Sequence, residues 1–396
     1  MRSPLRLLAA ALVVAATAAP SPAAPVPAKA TKPVDLVICL DCSGSMNGLL
    51  DSARLKLWDV VSELAKIKPT PVLRVAVYSY GGNGPDYPAA GGYIRKEIDL
   101  TTDLDAVYEK LSNLKITGST EYATTVSKRA IDDQKWSEEK GALKLVFVCG
   151  NENADQDKSV TYEALGKLAK EKGVIVNAIY CGPNTDGIAP GWQSLAEQGG
   201  GKFANIDQNK ASQVVIATPF DKDLAELSGK LNTTYVAYGK DGKEKAENQK
   251  KQDDNAAKAA PGGGGVANAA SRAAVKGGEQ YRNDSWDLLD RMKNDPKFDV
   301  KTLKDEELCD EMKKLKPEER EAFLKKKADE RADIQKKIAD LSAKRTKHID
   351  DEKKKAPKSD ADKALDDALK ATIRTQAKDK GFEVEEKKEE KKEEKK

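Results

Sequence analysis

From Val34 to about Tyr238 the chain alternates short apolar runs with amphipathic helical patterns. The apolar runs are rich in β-branched residues and nearly continuous, which is typical of parallel strands covered on both faces. The predicted strands are Leu36–Leu40, Val72–Tyr80, Ile94–Leu100, Leu143–Cys149, Val174–Tyr180 and Lys202–Ile206. Strands that alternate with helices in this way predict an α/β fold with a doubly wound, mostly parallel open sheet.

Amphipathic helices are predicted between these strands. Gly173 is a typical stop for one of them, because glycine readily adopts the left-handed conformation at a helix end. Thr218 and Pro219 predict the start of a further helix, with Thr218 as its cap and Pro219 as its first residue. The predicted helices within the sheet region are Leu49–Ile67, Asp103–Leu114, Glu121–Trp136 and Ser159–Lys172.

The second half of the chain differs from the first in composition. Charged residues make up 34% of the chain and aromatic residues 5%, and most of the charge lies in this half. Residues 239–277 are polar and Gly-rich, which predicts a linker. Residues 278–380 predict a charged helical region, in which an apolar stripe after Pro317 suggests a short coiled coil. Residues 381–396 form a low-complexity Glu/Lys tail.

The N-terminus predicts export. Residues 1–24 combine basic residues, a short apolar stretch and small residues, which is the pattern of a cleavable signal peptide. An uncleaved anchor is the alternative. No later segment is apolar enough to cross a membrane, so we expect a secreted or periplasmic protein without a transmembrane segment in its mature form.

The five cysteines do not form the pattern of a disulfide framework. Four of them lie in or directly after predicted strands, where buried free thiols are at least as common as bridges. If one bridge exists, Cys149 to Cys181 is the first candidate, since both residues end runs that are predicted to be neighbouring strands.

A polar motif directly follows the first predicted strand. Asp41, Ser43 and Ser45 stand at alternate positions on this strand-to-helix turn, and Thr120 lies in the loop that precedes a later helix. Loops at the carboxyl ends of parallel strands meet at the switch point of an open sheet, so all four side chains are expected to face one crevice. Carboxylate and hydroxyl oxygens suit a hard divalent cation such as Mg²⁺.

These residues resemble the metal-ion-dependent adhesion site of the von Willebrand factor A domain family. The family signature is Asp-x-Ser-x-Ser with a later Thr and a later Asp, and Asp41, Ser43, Ser45 and Thr120 match it one by one. The resemblance covers residues 34–238, about half of the chain. It implies a metal-binding domain that recognises other proteins.

The chain departs from the family pattern at one place. The family has Thr-Asp-Gly after its fourth strand, whereas this chain has Gly150, Asn151 and Glu152 in that loop. Asn151 or Glu152 is therefore a candidate to supply an oxygen, directly or through water. A weakened or empty metal site is the alternative.

The resemblance implies that Mg²⁺ or Mn²⁺ is held by the motif and that an exposed acidic residue of a protein ligand completes its coordination. The expected function is metal-dependent protein binding or adhesion. The second hypothesis is a scaffold or envelope-associated protein that binds partners through its helical region. Deleting the chain after Gly265 is the experiment that the sequence suggests for separating the two hypotheses.

An enzymatic function is not expected. The only histidine, His348, lies among Lys and Asp in the charged half, so a His-based hydrolase or zinc site lacks its residues. Nucleic acid is not expected as a partner either. The formal net charge is only +3, Lys and Glu alternate evenly, and aromatic side chains for base stacking are few.

Overall fold

A computed structural model of the protein describes residues 32–46, 61, 63–64, 66–205, 216–258, 264–355 and 360–384, with backbone alone for residues 360–369. The predicted signal peptide and the Glu/Lys tail from residue 385 lie outside the described residues. So does most of the predicted helix Leu49–Ile67, of which Val61, Glu63 and Leu64 are described and helical.

A six-stranded sheet forms the centre of the protein, in the strand order β4-β3-β1-β5-β6-β7. All neighbouring pairs are parallel except β3 and β4. This architecture confirms the predicted doubly wound, mostly parallel fold. The strands of this sheet are β1 (Pro33–Asp41), β3 (Val72–Tyr80), β4 (Ile94–Thr101), β5 (Leu143–Gly150), β6 (Ile175–Tyr180) and β7 (Gly200–Asn205). Two short strands, β2 (Ile67–Lys68) and β8 (Glu383–Val384), form a separate two-stranded sheet.

Helices cover both faces of this sheet, because side chains of each strand alternate between two apolar layers. In β1, Leu36 and Leu40 enter one layer, whereas Val37 and Cys39 enter the other. Four helices with described bounds lie in the sheet region, and they are α1 (Leu104–Asn113), α2 (Ala123–Asp133), α3 (Tyr162–Lys172) and α4 (Ala189–Gln198). Helix α1 packs in the first layer, and α2, α3 and α4 pack in the second.

The structure describes seven further helices after the sheet region. They are α5 (Asp221–Asn232), α6 (Gly242–Lys258), α7 (Gly265–Lys276), α8 (Leu288–Asn294), α9 (Asp310–Lys313), α10 (Pro317–Lys355) and α11 (Asp360–Asp379). Helix α10 begins at Pro317 as predicted, and Ile338 of its apolar stripe packs against α5 and α7. None of the helices in the described ranges is long and apolar enough to cross a membrane.

Residues 239–277, predicted as a linker, are largely helical. Apart from residues 259–263, which are not described, most of this segment lies in α6 and α7. The inward faces of these helices consist mostly of alanine and of polar residues, among them Gln249, Gln252 and Arg272, together with Val275. Because these residues carry no apolar periodicity, the sequence pattern resembled that of a solvated segment.

The C-terminal segment completes the core of the sheet region. Ile373, Ala377 and Phe382 are buried in the same apolar layer as the strands, and β8 pairs with β2. The side-chain amides of Gln376 and Asn177 exchange two hydrogen bonds of 2.7 and 3.2 Å. The last helix and strand are therefore part of the α/β fold and not of a separate appendage.

Helix α5 begins at Asp221, two residues later than predicted, and Pro219 and Phe220 form a turn before it. Thr218 still caps this turn, because its hydroxyl accepts from the Phe220 amide and its own amide and hydroxyl donate to the Asp221 carboxylate.

No bridge joins Cys149 and Cys181, although β5 and β6 are neighbours as predicted. None of the five cysteines forms a disulfide, and Cys39, Cys42 and Cys181 are buried, which agrees with the alternative of buried thiols.

Candidate functional site

The predicted site residues lie at the carboxyl end of β1, beside the end of β5. Strand β1 is the switch point of the sheet, since the chain runs from it to β3 on one side and later returns to β5 on the other. The loops that leave these strands diverge and form a crevice between them. Asp41 ends β1, and Asn151 and Glu152 directly follow β5.

A chain of hydrogen bonds connects four of the predicted residues. The Ser43 amide donates to Asp41 Oδ1 at 2.7 Å, and the hydroxyls of Ser43 and Ser45 are 2.8 Å apart. Ser45 Oγ donates in turn to Asn151 Oδ1 at 2.9 Å. Asp41 and Ser43 are fully buried, whereas Ser45 is exposed. The alternate spacing of the motif thus directs its oxygens along one line from the core to the surface.

The loop that carries Thr120 is fixed against this turn by its backbone. The Thr117 amide donates to the Cys42 carbonyl at 2.7 Å, and the Gly44 amide donates to the Gly118 carbonyl at 3.1 Å. Gly118 has a φ of +79°, and a Cβ at this position would lie 2.3 Å from the Gly81 carbonyl oxygen. Only glycine allows this close approach. Thr120 follows two residues later and is half-buried.

The loop after β5 is also held in place. Tyr80 Oη donates to the Cys149 carbonyl at 2.8 Å, and Trp192 Nε1 donates to the Glu152 carbonyl at 2.7 Å. These bonds fix the backbone and leave the half-buried Glu152 side chain at the rim. Burial and the nearby Glu121 raise the pKa of Glu152.

Asp41 is the least satisfied group in the crevice. Its Oδ2 atom is buried and accepts no hydrogen bond of normal geometry, although the Asn151 amide is near enough to help lower the pKa of Asp41. Burial raises the pKa of Asp41 to about 7, against the opposing effect of the Ser43 hydrogen bonds. A buried carboxylate oxygen beside two hydroxyls and an amide oxygen is a donor set that fits a hard divalent cation.

Glu121 also lies in this crevice and was not predicted as a site residue. It is buried, and its charge contributes to the raised pKa of Asp41. At a predicted helix start an acidic residue is common, so the sequence carried no signal that set Glu121 apart. Within the described ranges, no group of three or more His, Cys, Asp or Glu side chains is placed to hold a metal ion. Any cation bound here would therefore depend on hydroxyl and amide oxygens as well.

The fold and the crevice together define an open α/β domain with a candidate binding site at the switch point of its sheet. Residues 35–213 match the family model of the von Willebrand factor type A domain. This match confirms the resemblance for that part of the chain, which is less than half of its length. The metal-ion-dependent character of the site stays a prediction.

Several solved structures are similar to part of the chain. Proximal thread matrix protein 1 from the mussel byssus, described with a zinc-occupied MIDAS motif, is 18% identical with a TM-score of 0.35, covering 46% of this chain and 44% of its own. The SpRpn10 VWA domain is 12% identical with a TM-score of 0.34, and the match covers 45% of this chain and 89% of the SpRpn10 chain. The pilus adhesin SpaC from Lactobacillus rhamnosus GG is 14% identical with a TM-score of 0.34, and the match covers 46% of this chain and 28% of the SpaC chain. No curated protein matches the chain in sequence.

Proposed function

We propose that this protein is exported and binds other proteins in a metal-dependent manner through the crevice at the end of β1. Mg²⁺ or Mn²⁺ is the expected cation, and an exposed acidic side chain of the partner is the expected ligand. The observation that carries the proposal is the buried, unpartnered Asp41 Oδ2 next to the linked hydroxyls of Ser43 and Ser45. The match of residues 35–213 to the family model supports a role in protein interaction.

Each residue has a distinct part in the proposed site. Ser43, Ser45 and Thr120 would hold the cation through their hydroxyls, and Asp41 would bind it directly or through water. Asp41 also orients the turn, because its Oδ1 accepts the Ser43 amide. Asn151 holds Ser45 at the rim. When bound, the cation supplies a positive charge that attracts a carboxylate.

The proposed role is binding and not catalysis. His348, the only histidine, lies edge-on against Phe220 with ring centroids 6.4 Å apart, in the helical region. Within the proposed site, the described side chains offer oxygen atoms and no histidine.

The alternative, in which the helical region captures partners while the α/β domain is only a platform, has less support. The apolar stripe of α10 packs against α5 and α7 within the chain. That stripe is therefore occupied and does not offer a free face to a partner.

A capture experiment tests the proposed function. The immobilised full chain is exposed to an envelope fraction of its source in Mg²⁺ or in EDTA, together with Ser43→Ala and the matched control Ser194→Ala in α4. We expect partners that bind wild type and Ser194→Ala in Mg²⁺, elute in EDTA and fail to bind Ser43→Ala. Retention that is the same in EDTA and unaffected by Ser43→Ala would refute the proposal.

A further inference from the structure

Glu121 is a buried carboxylate at the edge of the crevice. Its side chain is 4% exposed, although it directly follows the Thr loop at the surface. Gln156, from the loop after β5, holds it at two points. Gln156 Nε2 donates to Glu121 Oε2 at 2.9 Å, and the Glu121 amide donates to Gln156 Oε1 at 3.2 Å. The carboxylate is thus oriented by a neutral amide that does not compensate its charge.

Glu121 and Asp41 approach the same point in space. A Cβ on Gly81 would lie 2.8 Å from Asp41 Oδ1 and 3.1 Å from Glu121 Cγ. Both acidic side chains therefore pack closely against Gly81, which brings them near each other. No described cationic side chain forms an ion pair with Asp41 or Glu121, and Asp41 Oδ2 has no hydrogen-bond partner.

Two buried carboxylates that lie close together repel each other and lose solvation. A divalent cation between them would offset both costs. We infer that Glu121 supplies the second carboxylate of the cation site, in place of the family acid that is missing from the loop after β5. This inference rests on the proposed function, because it concerns the same cation.

Glu152 is the competing candidate for this role. Its side chain is half-buried at the rim, whereas Glu121 is enclosed next to Asp41. Asn151 already uses its side-chain oxygen to accept from Ser45. The burial and the orientation by Gln156 assign the second carboxylate to Glu121 and leave Glu152 outside the inner site.

The test is a Mn²⁺ binding isotherm of the full chain. Electron paramagnetic resonance measures the concentration of free Mn²⁺ at each step of the titration. Four proteins are compared: wild type, Glu121→Gln, Glu152→Gln and Glu138→Gln. Glu138 is exposed in the loop before β5, at the opposite end of the sheet, and controls for the loss of one negative charge. Melting curves in EDTA show whether each variant is folded.

We expect Glu121→Gln to lower the Mn²⁺ affinity by roughly tenfold or more, as the loss of a group that coordinates or orients ligands commonly does. Glu152→Gln and Glu138→Gln should each change it by less than about threefold, since an outer charge acts only through a screened field. Equal affinities of folded Glu121→Gln and wild type would overturn the inference while the proposed function stands. A wild type that binds no Mn²⁺ would overturn both. If Glu121→Gln fails to fold, Gln156→Leu, which removes the amide that orients Glu121, must weaken Mn²⁺ binding instead.

Discussion

The sheet and the helices that follow it are stabilised by different interactions. The sheet is enclosed by two apolar layers, in which strand residues such as Leu36 and Val146 are fully buried. The helices α6 and α7 add buried charges to the apolar contacts that Ala256 and Val275 make with this region. Arg272 is 1% exposed and lies 2.7 Å from Asp105 of α1 and 2.6 Å from Asp253 of α6. Burial of an apolar side chain is favourable without a partner, whereas a buried charge depends on its counter-ion.

Helix α10 is attached in the same way as α6 and α7. Arg331 Nη1 lies 2.7 Å from Asp287 Oδ2, and its guanidinium carbon lies 4.0 Å from the centroid of the Tyr235 ring. Asp287 is fully buried and Arg331 is nearly so. The helical region therefore combines small apolar clusters with a few long-range buried ion pairs, and we expect substitutions in these ion pairs to be as costly as substitutions in the apolar core of the sheet.

The largest expected effect comes from truncation after Gly265. This deletion removes Ile373 and Phe382 from the apolar layer of the sheet, together with Arg272. Burial of the two apolar side chains alone contributes about 5 kcal/mol, which is comparable to the total stability of a domain. We expect no cooperative thermal transition by circular dichroism. A native-like transition would show that the sheet region folds alone, and only then could this truncation separate the two functional hypotheses.

Replacement of Arg272 is expected to have the next largest effect. Arg272→Met leaves Asp105 and Asp253 buried without this partner, which should cost about 3–5 kcal/mol. Leu36→Ala is the comparison in the sheet, with an expected cost of about 2–5 kcal/mol from lost contacts and a cavity. Urea denaturation measures both. A cost below about 1 kcal/mol for Arg272→Met would show that the ion pairs do not attach the helices.

The same network predicts a pH dependence of stability. Burial alone would raise the pKa of Asp253, but Arg272 and Lys276 lower it from 3.8 to about 2. Because the unfolded state binds this proton more readily, the stabilisation is present above pH 4 and is lost as the pH falls towards 2. The loss is about 2 kcal/mol. Urea denaturation at a series of acidic pH values should show this loss of stability for wild type and a smaller loss for Asp253→Asn. An unchanged acid transition in the variant would contradict the assignment.

The smallest expected effect is at an exposed ion pair between the same two regions. Lys251 Nζ lies 2.7 Å from Glu109 Oε1, and the Lys251 side chain is 59% exposed. Lys251→Met should change the free energy of unfolding by less than about 1 kcal/mol, because solvent screens exposed pairs. Urea denaturation measures Lys251→Met and Arg272→Met side by side, so that Lys251→Met serves as the control for the removal of one positive charge. A cost equal to that of Arg272→Met would mean that burial does not distinguish the two pairs.

The sequence predicted the sheet well because its signal is local. Val72–Tyr80 has the predicted bounds, and Asp41, Ser43 and Ser45 lie at the strand end where the motif placed them. The helical region was predicted less well. Asp105 and Arg272 are far apart in the chain, so the sequence around either residue does not indicate that the two form a buried ion pair. Glu121 was missed for a related reason. Its burial depends on Gln156, a residue in another loop.

The central claim is that the crevice binds a divalent cation through the motif at the end of β1. Calorimetric titration of Mg²⁺ into wild type, Ser43→Ala and the control Ser194→Ala tests it most directly. The account predicts saturable heat with one site for wild type and Ser194→Ala, and loss of that heat for Ser43→Ala with an unchanged melting curve in EDTA. Identical heats for wild type and Ser43→Ala would contradict the claim.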